Sequence, residues 1–211
     1  MSSSLVRKIL GVLLSAFLLS VAYYGSYLPL HKSQMFITAL RNLRNIKSLA
    51  DFEQSFSLPL DAPSPVGQEE LVRNTANTVL GLMQQQGVSS QIAAELMKYV
   101  QNYYAPLIDR GRGMSFEQNL YLLGALNEIM YTRTGDAKYL QAADKYYSEG
   151  LQFGPKRPQF LYGLFDVYRM EGNIVGVQAI AQQILSQWPD DQRTRSALAD
   201  YLASVSSSRP Q

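Results

Sequence analysis

Two hydrophobic rhythms run along this chain. From Ile9 to Leu30 the stretch "ILGVLLSAFLLSVAYYGSYLPL" carries no charge over 22 residues, and about 20 apolar residues cross a bilayer as a helix. Tyr23, Tyr24 and Tyr27 gather at its far end, where interfacial aromatics belong. Pro29 and His31-Lys32 then predict the end of that helix at headgroup level. Beyond it, apolar residues recur every three or four positions, the period of an amphipathic helix. No segment sustains the alternation of a strand.

The periodic segments predict a succession of helices. "QMFITALRNLRNIKSLADFEQSF" (34–56) reads as one amphipathic helix leaving the membrane, with Arg41, Arg44 and Lys47 on a basic face and Phe36, Leu40, Leu43 and Phe56 near the apolar stripe. "SLPLDAPSPVG" is rich in proline and reads as a linker or extended turn. "GQEELVRNTANTVLGLMQQQG" opens on acids and closes on Gly87, with Leu71, Thr75, Val79, Leu82 and Met83 on one face. Ser89 or Ser90 caps the next helix, with Ile92, Leu96, Tyr99 or Val100 and Tyr103 as its stripe, and Pro106 kinks or ends it. Ser115 caps the one after, lined by Leu120, Leu123 and Met130. Four more helical segments complete the chain, and "SSSRPQ" (206–211) reads as a disordered tail.

The stretch "FGPKRPQFLYGLFDVYRMEGN" holds the key to organisation. Pro155 and Pro189 lie 34 residues apart, with helix, Gly172-Asn173 and helix between them, and Gly135-Asp136 holds the matching place one unit earlier. This resembles the tetratricopeptide repeat, a helix-turn-helix unit of that length. Counting Pro158 as position 1, Leu161, Leu164, Tyr168, Gly172 and Pro189 fall on the family's positions 4, 7, 11, 15 and 32. Val177, Ala181 and Ile184, at positions 20, 24 and 27, depart from its small-large-small pattern. The preceding unit is complementary: Ala143, Tyr147, Gly150 and Pro155 match the second-helix positions, and Tyr131 and Gly135 the end of the first. About three extra residues within "AKYLQ" are expected to lengthen the turn between its helices. The last helix, with Leu198 and Ala199, would cap the stack.

The whole then reads as all-α: a membrane anchor or signal peptide over 1–33, amphipathic and linker helices or degenerate repeats over 34–110, and a right-handed tetratricopeptide-like solenoid over 115–205. A signal peptide would use Arg7-Lys8 as its basic start and Ser20-Val21-Ala22 as its cleavage site. The apolar run extends past that site, which favours an anchor. Charge bias leaves its orientation open, because Arg7 and Lys8 flank one side and Lys32, Arg41, Arg44 and Lys47 the other. The run from Tyr27 through the repeats also resembles the C-terminal part of bacterial O-antigen ligase/polymerase-like membrane proteins, in which a last transmembrane helix precedes a tetratricopeptide tail. The multi-spanning bundle that carries that family's chemistry is not in this sequence, so the resemblance implies at most an accessory portion of such a glycan transferase.

Composition narrows the chemistry. The chain has 211 residues and a formal net charge of +2, with basic residues scattered among acids, so nothing points to a nucleic acid. Without cysteine there is no disulfide, thiolate or cysteine-zinc site, and no lipid attachment through a thiol. His31 is the single histidine and reads as interfacial. "GLQFGP" and "GRGMS" do not fit a phosphate loop, and no GxSxG motif is present. Glu69-Glu70 and Asp190-Asp191 sit at helix starts, where carboxylates offset the helix dipole. No residue set supports catalysis, and no cofactor or metal is expected. A tetratricopeptide resemblance implies a groove lined by the first helix of each unit. Its positions 2, 5, 9, 12 and 13 here are Gln159, Tyr162, Asp166, Arg169 and Met170, the candidate contacts for a protein partner. The family's carboxylate clamp is not matched, because position 5 is Ala125 in one unit and Tyr162 in the next. The lipid bilayer, through residues 9–30, is the other expected partner.

Overall fold

The computed structural model describes residues 3–113 and 115–207, and among them every regular element is helical. The chain divides into two compact units, one ending at Thr75 and the other starting at Ala76. That division falls inside the 34–110 segment.

The first unit begins with α1 (Ser3–Ala22), a π-helical turn (Tyr23–Tyr27) and α2 (Leu28–Asn42). Its apolar side chains are exposed all round, Leu10 at 59 % and Leu19 at 71 %. A helix apolar on every side suits lipid, not a soluble surface. The run Ser4–Asn45 forms one helical stretch long and apolar enough to cross a membrane, a property shared by signal sequences. Pro29 therefore does not end the helix as expected. Its ring crowds the carbonyl four residues back and it has no N–H to donate. The widened turn just before it, where Leu28 N–H reaches back five residues to Tyr23 O, lets the chain pass that obstacle. Tyr23 and Tyr24 meet edge-on within this turn, and Tyr23, Tyr27 and His31 stack in series along it.

The single helix expected over 34–56 is instead two. A 3-10 turn (Leu43–Asn45) leads to Ile46 in extended conformation, and α3 (Leu49–Asp61) starts afresh. Ser48 caps it by accepting from Asp51 N–H at 3.1 Å. The apolar rhythm ran unbroken through this reversal and hid it. α2 and α3 pack together around Phe36, Ala39, Phe52, Phe56 and Leu60, with Phe52 and Phe56 stacked at 4.4 Å. Arg41, Arg44 and Lys47 are exposed as anticipated. The expected linker is also shorter. Pro59 lies inside α3, buried, and only Ala62 to Gly67 separate α3 from α4 (Gln68–Met83).

The second unit continues with α5 (Ser90–Arg110), α6 (Phe116–Thr134), α7 (Ala137–Phe153), α8 (Pro158–Met170), α9 (Ile174–Gln187) and α10 (Gln192–Ser207). From α5 onward each helix packs on the next, and α6 also touches α8. Ser89, not Ser90, caps α5. Pro106 does not stop it. The helix runs to Arg110 and closes on Gly111, which takes the left-handed conformation at φ 63°. Ser115 does not cap α6 with its side chain. Ser206 and Ser207, expected in a disordered tail, belong to α10, while 208–211 lie outside the described residues.

Two turns repeat one design. Gly135 and Gly172 are left-handed at φ 69° and 71°, and Asp136 and Asn173 then cap α7 and α9 through their side chains. The extra residues in "AKYLQ" do not lengthen the first turn: α7 starts directly after Asp136, so they extend the helix. The core holds Leu140, Ala143, Tyr147, Phe160, Leu161, Leu164, Val177, Ala181 and Ile184. The three residues that depart from the repeat pattern are wholly buried. Val177 and Ile184 are larger than the pattern, Ala181 smaller, so volume moves between sites while the layer stays filled.

Candidate functional site

Tyr147 of α7 organises the surface that α6 and α8 present. A Cβ added to Gly124 of α6 would meet its ring at 2.3 Å, and one added to Gly163 of α8 at 2.5 Å. The ring fills a slot that only two glycines leave open. Its hydroxyl donates to the carboxylate of Glu128 on α6. Burial pushes the Glu128 carboxyl up to about 7, and the nearby negative charge of Asp166 adds to this. The Tyr147 hydrogen bond opposes both. Burial, then the neighbouring charge of Glu128, also raises Tyr121. Tyr121, Glu128, Tyr147 and Asp166 thus form one electrostatically linked patch across α6, α7 and α8.

The five residues expected to meet a partner separate into two groups. Tyr162, Asp166 and Arg169, spaced i, i+4 and i+7 along α8, border a cleft of about 50 Å³ together with Arg193 and Thr194 of α10. Gln159, half-buried, and Met170, exposed, do not line it. Tyr162 is already engaged: its hydroxyl donates to Asp191 Oδ2 at 2.7 Å and its ring stacks on Trp188. Asp191 also accepts from Thr194 N–H at 3.1 Å and Thr194 Oγ1 at 2.6 Å, and these bonds hold its carboxyl down at about 2. Asp191 is the α10 cap foreseen from the Asp190-Asp191 pair. Arg169 Nη1 meets Asp166 Oδ1 at 3.2 Å and lies over the Phe165 ring. Both remain substantially exposed, so this pair is weak and exchangeable. The basic loop before α8 is structural: Arg157 bonds Glu117 of α6 at 3.0 Å.

Sequence reasoning missed Glu128 and Tyr121. The usable signal was the pair of glycines facing one tyrosine. A glycine inside a helix costs stability unless something needs the space. Nothing in this arrangement activates a nucleophile, and no group of three metal-ligating side chains occurs among the described residues. The patch and its cleft offer aromatic faces, carboxylates and two arginines, Arg169 and Arg193, the chemistry of recognition.

No protein-family profile, curated protein or solved structure matches the chain.

Proposed function

We propose that this protein is a membrane-anchored helical-repeat scaffold that binds a protein partner on the surface formed by α6, α8 and α10, with cell-envelope or polysaccharide assembly as a candidate setting. The observation that carries the reading is the exposed Asp166–Arg169 pair at the cleft beside α10, next to the half-buried Glu128. A weak surface ion pair opens at little cost when a better partner arrives. Two further features support it. The Gly-Asx turn recurs at α6–α7 and α8–α9, as repeat units require. The apolar run over 9–30 supplies the membrane attachment.

The test places a photo-crosslinking residue at position 166 or 169 in cells and identifies the adduct by mass spectrometry. A protein adduct that disappears when Glu128 is changed to Lys supports the reading. Silence at both positions removes this surface from consideration.

A further inference from the structure

Basic residues are scattered along the sequence, but the fold of the second unit gathers several of them. The loops 111–115, 154–157 and 188–191 join α5 to α6, α7 to α8 and α9 to α10, and they meet at one end of the stack. Three contacts fix this. Phe116 at the start of α6 meets Phe153 at the end of α7, with ring centroids 5.3 Å apart. Arg157 before α8 bonds Glu117 of α6 at 3.0 Å. Tyr162 near the start of α8 stacks on Trp188 after α9 and donates to Asp191. The opposite end is tied together separately, Ser90 donating to Arg133 O and Tyr131 to Met170 O. We propose that the first of these ends docks on the anionic lipid headgroups of the bilayer that holds the chain.

Charge separates the two ends. Arg110, Arg112, Lys156 and Arg193 lie at the first, all exposed, and none is in an ion pair among the described residues. Arg195, also exposed, donates to Pro189 O and keeps its charge. Of the acids there, Glu117 is engaged by Arg157 and Asp191 by Tyr162 and Thr194, which leaves Asp109 and Asp190. Cations are therefore in excess. Phe153 stands among them, 50 % exposed. At the opposite end Arg133 is spent on three carbonyls, Lys138 pairs with Asp136 at 2.8 Å, and Glu171 is exposed.

An anionic occupant follows from that excess, and a lipid surface follows from place. This rests on the reading of Ile9–Leu30 as a membrane-crossing helix. A tethered unit meets the bilayer at high effective concentration, so a few charges suffice to hold it there. Each needs to come within a screening length of the surface, about 8 Å at physiological ionic strength. A free polyanion gains nothing from the tether. Single-stranded nucleic acid also calls for a charged groove with aromatic rings in series. Here the cations are spread over three loops, and Phe153 is the exposed ring among their described residues, since Trp188 is stacked on Tyr162. An aromatic ring between cations suits headgroup depth.

The chain has no cysteine, so a single introduced one takes a fluorophore at one place. Gln152→Cys reports on the basic end and Gln86→Cys on the opposite end, both at exposed positions. The full chain is reconstituted in phosphatidylcholine vesicles with or without phosphatidylglycerol, each containing a lipid with a nitroxide on its headgroup as quencher. The expected result is quenching at 152 about fivefold stronger with phosphatidylglycerol, the factor one basic residue near an anionic surface supplies. The label at 86 stays unquenched in both. Arg112→Glu combined with Lys156→Glu, at exposed positions that leave packing alone, returns 152 to the phosphatidylcholine level, as does high salt. Equal quenching in both vesicles, quenching at 86, or a lipid dependence that survives the double substitution overturns the proposal. So does capture of an RNA oligonucleotide by the reconstituted chain when phosphatidylglycerol leaves 152 unquenched, which makes this end a nucleic-acid surface. Alkaline extraction separates the two levels. Release from the membrane sinks the anchor reading itself, whereas retention without lipid-dependent quenching sinks only the docking.

Discussion

Lys32 in the first unit and Arg133 in the second perform one task by different means. Each reaches across the chain to the carbonyls at the end of a helix. Lys32 Nζ donates to Leu60 O, Ala62 O and Gln68 Oε1, closing α3. Arg133 donates from Nε to Met83 O at 2.7 Å, from Nη2 to Gln85 O at 2.7 Å and from Nη1 to Val88 O, closing α4. A helix leaves its last carbonyls without partners, and burying them unpaired is costly. The lysine is 3 % exposed, a single point of charge inside a hairpin. The arginine is half-buried, and its planar fork serves three acceptors spread over a turn. The difference is between a buried plug, whose loss strands groups away from water, and a surface clamp, whose loss lets water in.

The largest expected effect tests whether the two units are separable at all. Gly163→Ala drives a Cβ into Tyr147, and the ring cannot retreat, because Gly124 stands on its other side. Overpacking of this kind costs about 3 kcal/mol. Hydrogen exchange should accelerate across α6 to α9 while the α2–α3 hairpin stays protected. Adding Tyr147→Leu should recover part of the loss. Uniform acceleration in both units would refute their independence.

Next comes the plug. Lys32→Met keeps the stem and removes the donor, leaving the carbonyls at the end of α3 and Gln68 unsatisfied. The expected loss is about 2 kcal/mol, confined to exchange of the amides of 49–62. A variant as protected as the wild type would show that water already serves those carbonyls.

Glu128 puts a titration near neutral pH into the second unit. The folded state raises its carboxyl from the ordinary 4.5 to about 7, so folding favours the protonated form. Stability is then full below about pH 4.5 and falls as pH rises through 7. The half-exposed position limits the loss to roughly 1–2 kcal/mol. Tyr121, Tyr147 and Asp166 are the titratable groups that face it, and burial raises both tyrosines, so neither of these changes charge between those pH values. Denaturant unfolding at pH 5 and pH 8 should differ in the wild type. In Glu128→Gln it should not, and that variant should be the more stable at pH 8. A pH dependence that persists in Glu128→Gln assigns the titration elsewhere.

What was legible in the sequence was local. Gly172-Asn173, Pro158 at the first turn of α8 and the Asp191 cap each act within a few residues, and their chemistry shows in the residue itself. Pro29 was misread because a helix breaker was judged alone, without the π turn that absorbs it. The reversal at Ile46 was hidden because Leu43, Ile46 and Leu49 keep a helical rhythm across it, although Ser48 three residues before Asp51 marked a new start. Lys32, Arg133 and Glu128 were illegible for another reason. Their partners lie 19 to 50 residues away. Three of the five residues expected at the partner surface do share a cleft, since a single helix face sets their spacing. That Tyr162 is spent on Asp191 needed the position of α10.

The clamp sets the smallest effect and the finest distinction. Arg133→Ala removes three charge-assisted bonds, but the freed carbonyls of Gln85 and Val88 lie in the turn after α4, where water can replace the guanidinium, Gln85 being exposed. The expected loss is about 1 kcal/mol, seen as faster exchange through 84–88 with α6 itself little changed. Arg133→Lys should recover less than half, because one ammonium cannot span the acceptors that the fork reaches. The reciprocal exchange, Lys32→Arg, should fail for the opposite reason: Lys32 is 3 % exposed, and a larger planar cation at a buried position has to displace its packed neighbours. If lysine restores the clamp fully, a positive charge near the end of α4 is all that is required, and the contrast between plug and clamp reduces to burial alone.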